Sequence, residues 1–227
     1  AQFGAALKGK SVVMGYVFKD STAPGGAASI GAIGAPVLDA NAAKLYNVDF
    51  YENNAFTGNF PVLQAGAASA GYFDNSRGLD VDGVFRRVPL VQSYRGALYP
   101  ALALETVRLA LGAPPVQFEF DPPDQRASVN LEAIVIGSVR VPVDEHVQAL
   151  IPYRGRWPSF TYISATDVMR GSADPAQLAG KVVLLGTSAP GLLDLRVTPV
   201  GQAYPGVEVH ANLISGMLEG RIKHKAP

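Results

Sequence analysis

Apolar positions in this chain fall in short runs more often than in long helical stripes. Residues 10–18 (KSVVMGYVF) are β-branched and aromatic and follow a glycine, which predicts a buried strand. Residues 23–35 (APGGAASIGAIGA) carry neither a helical nor a strand period and predict a loop. An Ala-rich stretch after Pro61 predicts a short helix over 60–70, packed on a strand at 71–74. Asp80-Val81-Asp82-Gly83 has turn chemistry. Residues 84–93 then predict a strand, with Pro89 favouring an edge or a bulge, and Arg95-Gly96 marks a further turn. Leu102, Val107, Leu109 and Leu111 support a helix over 100–111 that stops at Gly112. Residues 117–130 are rich in Pro and Asp and predict a surface excursion. Residues 131–136 and 139–143 flank Gly137-Ser138 and predict a hairpin, with one more strand at 149–154.

The last third has the pattern of an α/β unit. Residues 162–170 predict a short helix with Ser164 as its cap. The run KVVLL at 181–185 predicts a strand buried on both faces. A long loop over 186–201 leads to a closing helix at 205–218, with Pro205 at its first turn and Gly220 past its end. The elements imply an α/β chain of mixed α+β type: a central mixed β-sheet with hairpins, covered by helices, in one domain spanning 1–227.

Composition narrows the chemistry. The 227 residues are 48% hydrophobic and 17% charged, a globular balance. Nineteen basic and nineteen acidic side chains cancel and are scattered, which excludes the basic field of a nucleic-acid binder. Without cysteine there is no disulfide, thiol nucleophile or cysteine metal site. No apolar run approaches the roughly 20 residues that span a bilayer. The chain starts Ala1-Gln2-Phe3 and stops at Lys225-Ala226-Pro227, and both ends are expected to be cut from something longer.

The loop after KVVLL is the best candidate site, because open α/β sheets bind ligands at the carboxyl ends of buried strands. It contains Thr187, Ser188, Asp194 and Arg196, and the closing helix adds Glu208 and His210. The string matches neither phosphate-loop nor dinucleotide fingerprints, and Ser188 has no Gly-x-Ser-x-Gly context and no identifiable base. Glu208 and His210 are two apart and do not share a helix face, so a joint metal role is disfavoured. Asp74, Asp80 and Asp82 are expected to serve turns and not a metal. Arg86 and Arg87 are adjacent in a strand and point to opposite faces. One is expected to meet a carboxylate, Glu105 or Asp82. For the other, solvation is the expectation and anion binding the alternative.

Three segments in order carry a resemblance. These are GYFDNSRGLDVDGVFRRVPLVQSYRGALYPALALETVRLALG, LIPYRGRWPSFTYISATDVMRG, and KVVLLGTSAPGLLDLRVTPVGQAYPGVEVHANLISGMLEG. Together they resemble the second type of CHASE domain, the cyclase- and histidine-kinase-associated sensory extracellular domains. The likeness covers about residues 71–220 well and 10–18 more loosely. It implies a sensor on the periplasmic or extracellular face of a membrane, flanked by transmembrane helices and joined to a cyclase or kinase output. It also implies an unknown small-molecule or protein stimulus, a homodimer, no cofactor and no catalysis by this domain. By the same resemblance the module usually has a strand and a helix before the strand that matches 10–18, and this chain is expected to lack them. A ligand-free dimerisation module and a small periplasmic hydrolase are the alternatives.

Overall fold

The computed structural model describes residues 2–19, 28–74, 76–120, 131–187 and 194–224. Its elements are α1 (Gln2–Leu7), β1 (Val13–Lys19), α2 (Ala40–Ala43), β2 (Glu52–Asn53), β3 (Ala55–Thr57), α3 (Pro61–Gln64), β4 (Ser69–Tyr72), β5 (Arg87–Pro89), β6 (Val91–Tyr94), β7 (Ala97–Pro100), α4 (Leu102–Ala110), β8 (Val116–Phe120), β9 (Leu131–Ile136), β10 (Val139–Pro142), β11 (Gln148–Leu150), α5 (Ala165–Arg170), β12 (Leu195–Thr198), β13 (Gly201–Pro205) and α6 (Gly206–Leu218). Short strands, mixed pairing and packed helices make the class α+β, as the sequence implies.

The strands are shared among small sheets. In one, β1 pairs parallel with β4 and antiparallel with β3. In another, β6 pairs parallel with β2 and antiparallel with β7. A meander joins β8, β9 and β10, while β5 pairs with β11 and β12 with β13. Helix α4 lies across β4 and β1 and also against α6. Close approach is possible because Gly71 in β4 has no side chain: a Cβ there would sit 2.5 Å from Leu102 Cα.

Two clusters form the core. The larger brings Leu104 and Val107 of α4 against Ile134 and Ile136 of β9 and Leu213 and Met217 of α6. Each such fully buried side chain contributes about 1.5–3 kcal/mol by leaving water. The smaller is aromatic, with Phe18 in ring contact with Tyr16, Tyr72, Tyr94 and Tyr99 at centroid distances of 5.2–6.0 Å. Burial holds the Tyr16 and Tyr72 hydroxyls well above the usual phenol range, and Tyr72 donates to Pro89 O at 2.7 Å.

Most predicted elements are present with moved ends. The strand expected over 10–18 begins at Val13, because the Lys10 amide still closes a turn onto Leu7 O. The helix expected over 60–70 shortens to Pro61–Gln64, and the strand after it starts at Ser69. The strand expected over 84–93 is split at Leu90 into β5 and β6. Arg95 and Gly96 both take positive φ, 53° and 76°, and close a two-residue hairpin, so residues 97–100 form β7 and the helix expected from residue 100 starts at Leu102. Residues 116–120 form β8 where a surface excursion was expected, leaving 121–130 outside the described residues. The loop expected over 23–35 is described only from residue 28, where Ile30 and Ala32 bridge to Thr57 and Asn59.

The largest correction concerns KVVLL. Residues 181–187 form no strand, Val183 is 60% exposed and Leu185 is 90% exposed. An apolar β-branched run becomes a buried strand only where a sheet edge offers it hydrogen bonds and a second layer covers it. Among the described residues no strand lies beside it. The expected loop instead contains the hairpin β12–β13.

Gly71→Ala is expected to destabilise the fold by about 2 kcal/mol, because backbone and not a flexible side chain occupies the space. Leu104→Ala should cost about 2–5 kcal/mol. Urea unfolding measures both, and a Gly71→Ala variant as stable as the parent would show that α4 does not lie on β4.

Candidate functional site

Helix α6 receives its chain directly from the hairpin β12–β13, whose register opposes Arg196 to Tyr204 and Leu195 to Pro205. Pro205 occupies the cap position but supplies no side-chain bond to the first amides of the helix. Asp194, just before β12, takes over that task. Its backbone carbonyl accepts from Gly206 N at 2.8 Å, and its carboxylate is hydrogen-bonded to the Val207 backbone. A negative group is favoured at a helix N-terminus by the helix dipole. Gly206 permits the contact, since a Cβ there would meet Asp194 Oδ1 at 2.2 Å. Burial raises the Asp194 pKa, with Arg196 and the Val207 amide pulling it down. Arg196 reaches Asp194 at 3.4 Å and lies 5.6 Å over the Phe85 ring.

Glu208 is the least expected member of the site. It is 2% exposed, and among the described residues no lysine or arginine pairs with it. Four donors converge on its carboxylate instead. Oε1 accepts from Ser159 N at 2.8 Å, Ser159 Oγ at 2.6 Å and Tyr204 Oη at 2.9 Å, while Oε2 accepts from Tyr162 Oη at 2.6 Å. One turn later, Asn212 Nδ2 donates to Tyr204 Oη and to Glu208 O, and Asn212 Oδ1 accepts from Arg154 N at 2.9 Å. Burial pushes the Glu208 pKa up, but the Ser159 and Tyr162 hydroxyls, the Ser159 amide and Tyr204 together hold it below the usual carboxylate value. The same contact raises the Tyr162 pKa, after burial. The network ties residues 154–162 to α6. A carboxylate with saturated lone pairs and lowered basicity is a poor general base, so the Ser159–Glu208 contact is no activated nucleophile.

His210 points to another side of the same helix. It is buried, and its Nδ1 has no hydrogen-bond partner among the described residues. Burial first, and then the nearby Arg196 charge, lower its pKa to about 4, against a hydrogen bond to the Phe73 backbone. Asp194, Arg196 and His210 are therefore brought together at the start of α6, with Glu208 across the helix. Thr187 is exposed beside this corner, since a Cβ on Gly186 would lie 2.7 Å from Val207 Cβ. Ser188 lies outside the described residues.

The sequence reading missed Ser159, Tyr162, Tyr204 and Asn212. Part of the signal was legible: Glu208 and Asn212 are four residues apart, the spacing of one helix face, whereas Tyr204 comes from β13. Ser159 and Tyr162 come from 46–49 residues away, and no local pattern announces them. The carboxylates near Arg86 follow the turn reading. Asp80 and Asp82 both bind its guanidinium at 2.8 Å, and that contact brings the Asp82 pKa down to about 2. Glu105 binds Arg108 instead. Among the described residues, no group of three or more His, Asp or Glu is placed to hold a metal ion.

The chain is thus of α+β class and clamps its last helix through a buried polar node. The CHASE2 domain model matches residues 1–227, the whole chain, and the chain belongs to that family of sensory extracellular domains. Searches of curated proteins and of solved structures found no match.

Glu208→Gln should lower stability by about 2 kcal/mol, because it removes the charge and puts an NH2 donor in place of one of the two oxygens on which the donors converge. Equilibrium unfolding at neutral pH measures this. For His210 the folded pKa, about 4, lies below the unfolded value of 6.5. Between those values the unfolded chain binds more protons, so stability falls as pH drops from 6.5 towards 4, by roughly 3 kcal/mol in total. In His210→Phe that part of the stability–pH curve should flatten.

Proposed function

We propose that this chain is the extracytoplasmic sensor domain of a transmembrane receptor. It passes a stimulus through α6 to a cytoplasmic output domain, for which an adenylate or guanylate cyclase is the first choice. The observation that carries this reading is the double attachment of α6. Its N-terminus is held by Asp194, just before β12, and its body by the Glu208–Asn212 node to residues 154–162. A ligand that binds one arrangement of those segments better than another shifts the helix with them. Family membership supports the sensory role and the extracytoplasmic placement. Among the described residues no helix is long and apolar enough to cross a membrane. The receptor reading therefore assigns the membrane-spanning helices to other parts of the protein.

A second reading, a dimerisation module without a ligand, is favoured by one feature. None of the residues of α5 is buried, and Met169 at 88% exposure sits in the same stretch of chain as Val183 and Leu185. Exposed apolar side chains mark interaction sites where they join into one patch. Both readings place a second copy of the chain as partner.

The deciding measurement is output activity of the full receptor in membranes, with Asp194→Lys and Arg196→Glu in the sensor. Altered basal or stimulated output, with the domain still folded, supports the sensor reading. Unchanged output in both variants removes the hairpin and α6 corner from the signalling path. Native mass spectrometry of the domain separates the second reading, which requires dimers and no bound small molecule.

A further inference from the structure

Arg86 and Arg87 leave the same strand in opposite directions and meet different fates. Arg86 is held by two carboxylates. Arg87 is not solvated, with its side chain 24% exposed, and it is not firmly bound either. Its Nη1 lies 3.6 Å from Asp144 Oδ2, longer than a hydrogen bond, and its buried Nε has no partner among the described residues. A buried guanidinium N–H without an acceptor calls for a physical explanation.

Other polar groups gather on the same side. In the β5–β11 pair Arg87 opposes Leu150 and Pro89 opposes Gln148, so Arg87 and Gln148 share a face. Gln148 Nε2 donates to Tyr51 Oη at 3.0 Å. The Tyr51 ring carries Arg77 at 5.4 Å and lies 5.6 Å from the His146 ring, tilted 31°. Burial raises the Tyr51 pKa, with Asp144 the next cause, so that carboxylate faces the same group. His146 Nδ1 is 3.5 Å from Asp49 Oδ2. Between His146 and Gln148, Val147 is fully buried at φ 61°, a conformation that a β-branched residue adopts only under constraint from its surroundings. The Asp144 carboxylate helps impose it by accepting from the amides of His146 and Gln148. The strained turn thus presents His146 and Gln148 beside Arg87 and Tyr51.

We propose that Arg87, Tyr51, Gln148 and His146 form a binding site for a small monocarboxylate. Its carboxylate meets the partly exposed guanidinium of Arg87, whose planar fork matches two oxygens. Asp144, Asp49 and Glu145 around Tyr51 disfavour a dianion such as phosphate and favour a ligand that also carries a cationic group, as a free amino acid does. The site stands apart from the α6 corner, and binding there does not require the sensor reading. Only the step from ligand to stimulus rests on that reading.

The test is calorimetry and thermal unfolding of the 227-residue chain with glycine, acetate and inorganic phosphate. Glycine and acetate are expected to bind and raise the unfolding temperature, and phosphate is not. Arg87→Lys keeps the charge but loses the fork and should weaken binding at least about tenfold. Arg86→Lys, on the opposite face, should leave it unchanged. Should Arg87→Lys fail to fold, Tyr51→Phe, which removes only the hydroxyl, should still weaken binding. Absence of binding by glycine and acetate, preference for phosphate, or unchanged affinity in folded Arg87→Lys overturns the site. A receptor that answers some other molecule while glycine and acetate fail to bind overturns the site and leaves the sensor reading intact. Binding of glycine or acetate without any change in output supports the site and separates it from signalling.

Discussion

A carboxylate buried without a cation is expensive, and the end of this fold is organised around making one tolerable. Glu208 has lost nearly all contact with water, and a lone buried charge of this kind costs several kcal/mol unless hydrogen bonds replace its hydration. The four donors come from Ser159, Tyr162 and Tyr204, so two separate parts of the chain, residues 154–162 and β13, must bring them to within about 3 Å. The position of Glu208 in the first turn of α6 also sets its charge against the positive end of the helix dipole. Because the carboxylate cannot release one donor cheaply, residues 154–162, the hairpin and the helix are bound to move together.

That requirement gives the helix two kinds of attachment. Its apolar positions Leu213 and Met217 join a core shared with α4 and β9, which is non-directional and tolerates sliding. Its polar positions Glu208 and Asn212 are directional and tolerate little. Asp194 adds a third constraint at the N-terminus, through a contact that only a glycine at 206 permits. A helix held in this way is constrained both at its N-terminus and along its body. The buried imidazole of His210, kept neutral by burial and by Arg196, adds a group whose protonation would oppose the packed state.

Legibility followed the range of the interactions. The hairpin at Gly137-Ser138, the turn at Asp80–Gly83 and the cap at Ser164 depend on neighbours a few residues apart, and the sequence announces each of them. The pairing of Arg86 with Asp82 is equally local, an i,i+4 contact. The KVVLL run shows the opposite case. Its composition states a preference for strand, but a strand needs an edge to join, and the chain alone does not say whether one is free. The second hairpin, β12–β13, hides in a stretch whose Gly and Pro content reads as loop.

The candidate site divides along the same line. Sequence alone placed Asp194 and Arg196 in the loop before the closing helix and Glu208 and His210 on that helix, because the spacing of residues along a chain limits where its helices and turns can start and stop, and its motifs carried the family likeness. Tertiary structure decided which side of α6 each residue faces and which distant groups meet it. Ser159 and Tyr162 reach Glu208 across 46–49 residues, and Gln148 reaches Tyr51 across 97. Such contacts depend on how sheets and helices stack, and side-chain periodicity carries no information about that. The physical reason is that local conformation is set by neighbours in the chain, whereas desolvation and hydrogen-bond satisfaction are set by whatever the completed fold brings alongside.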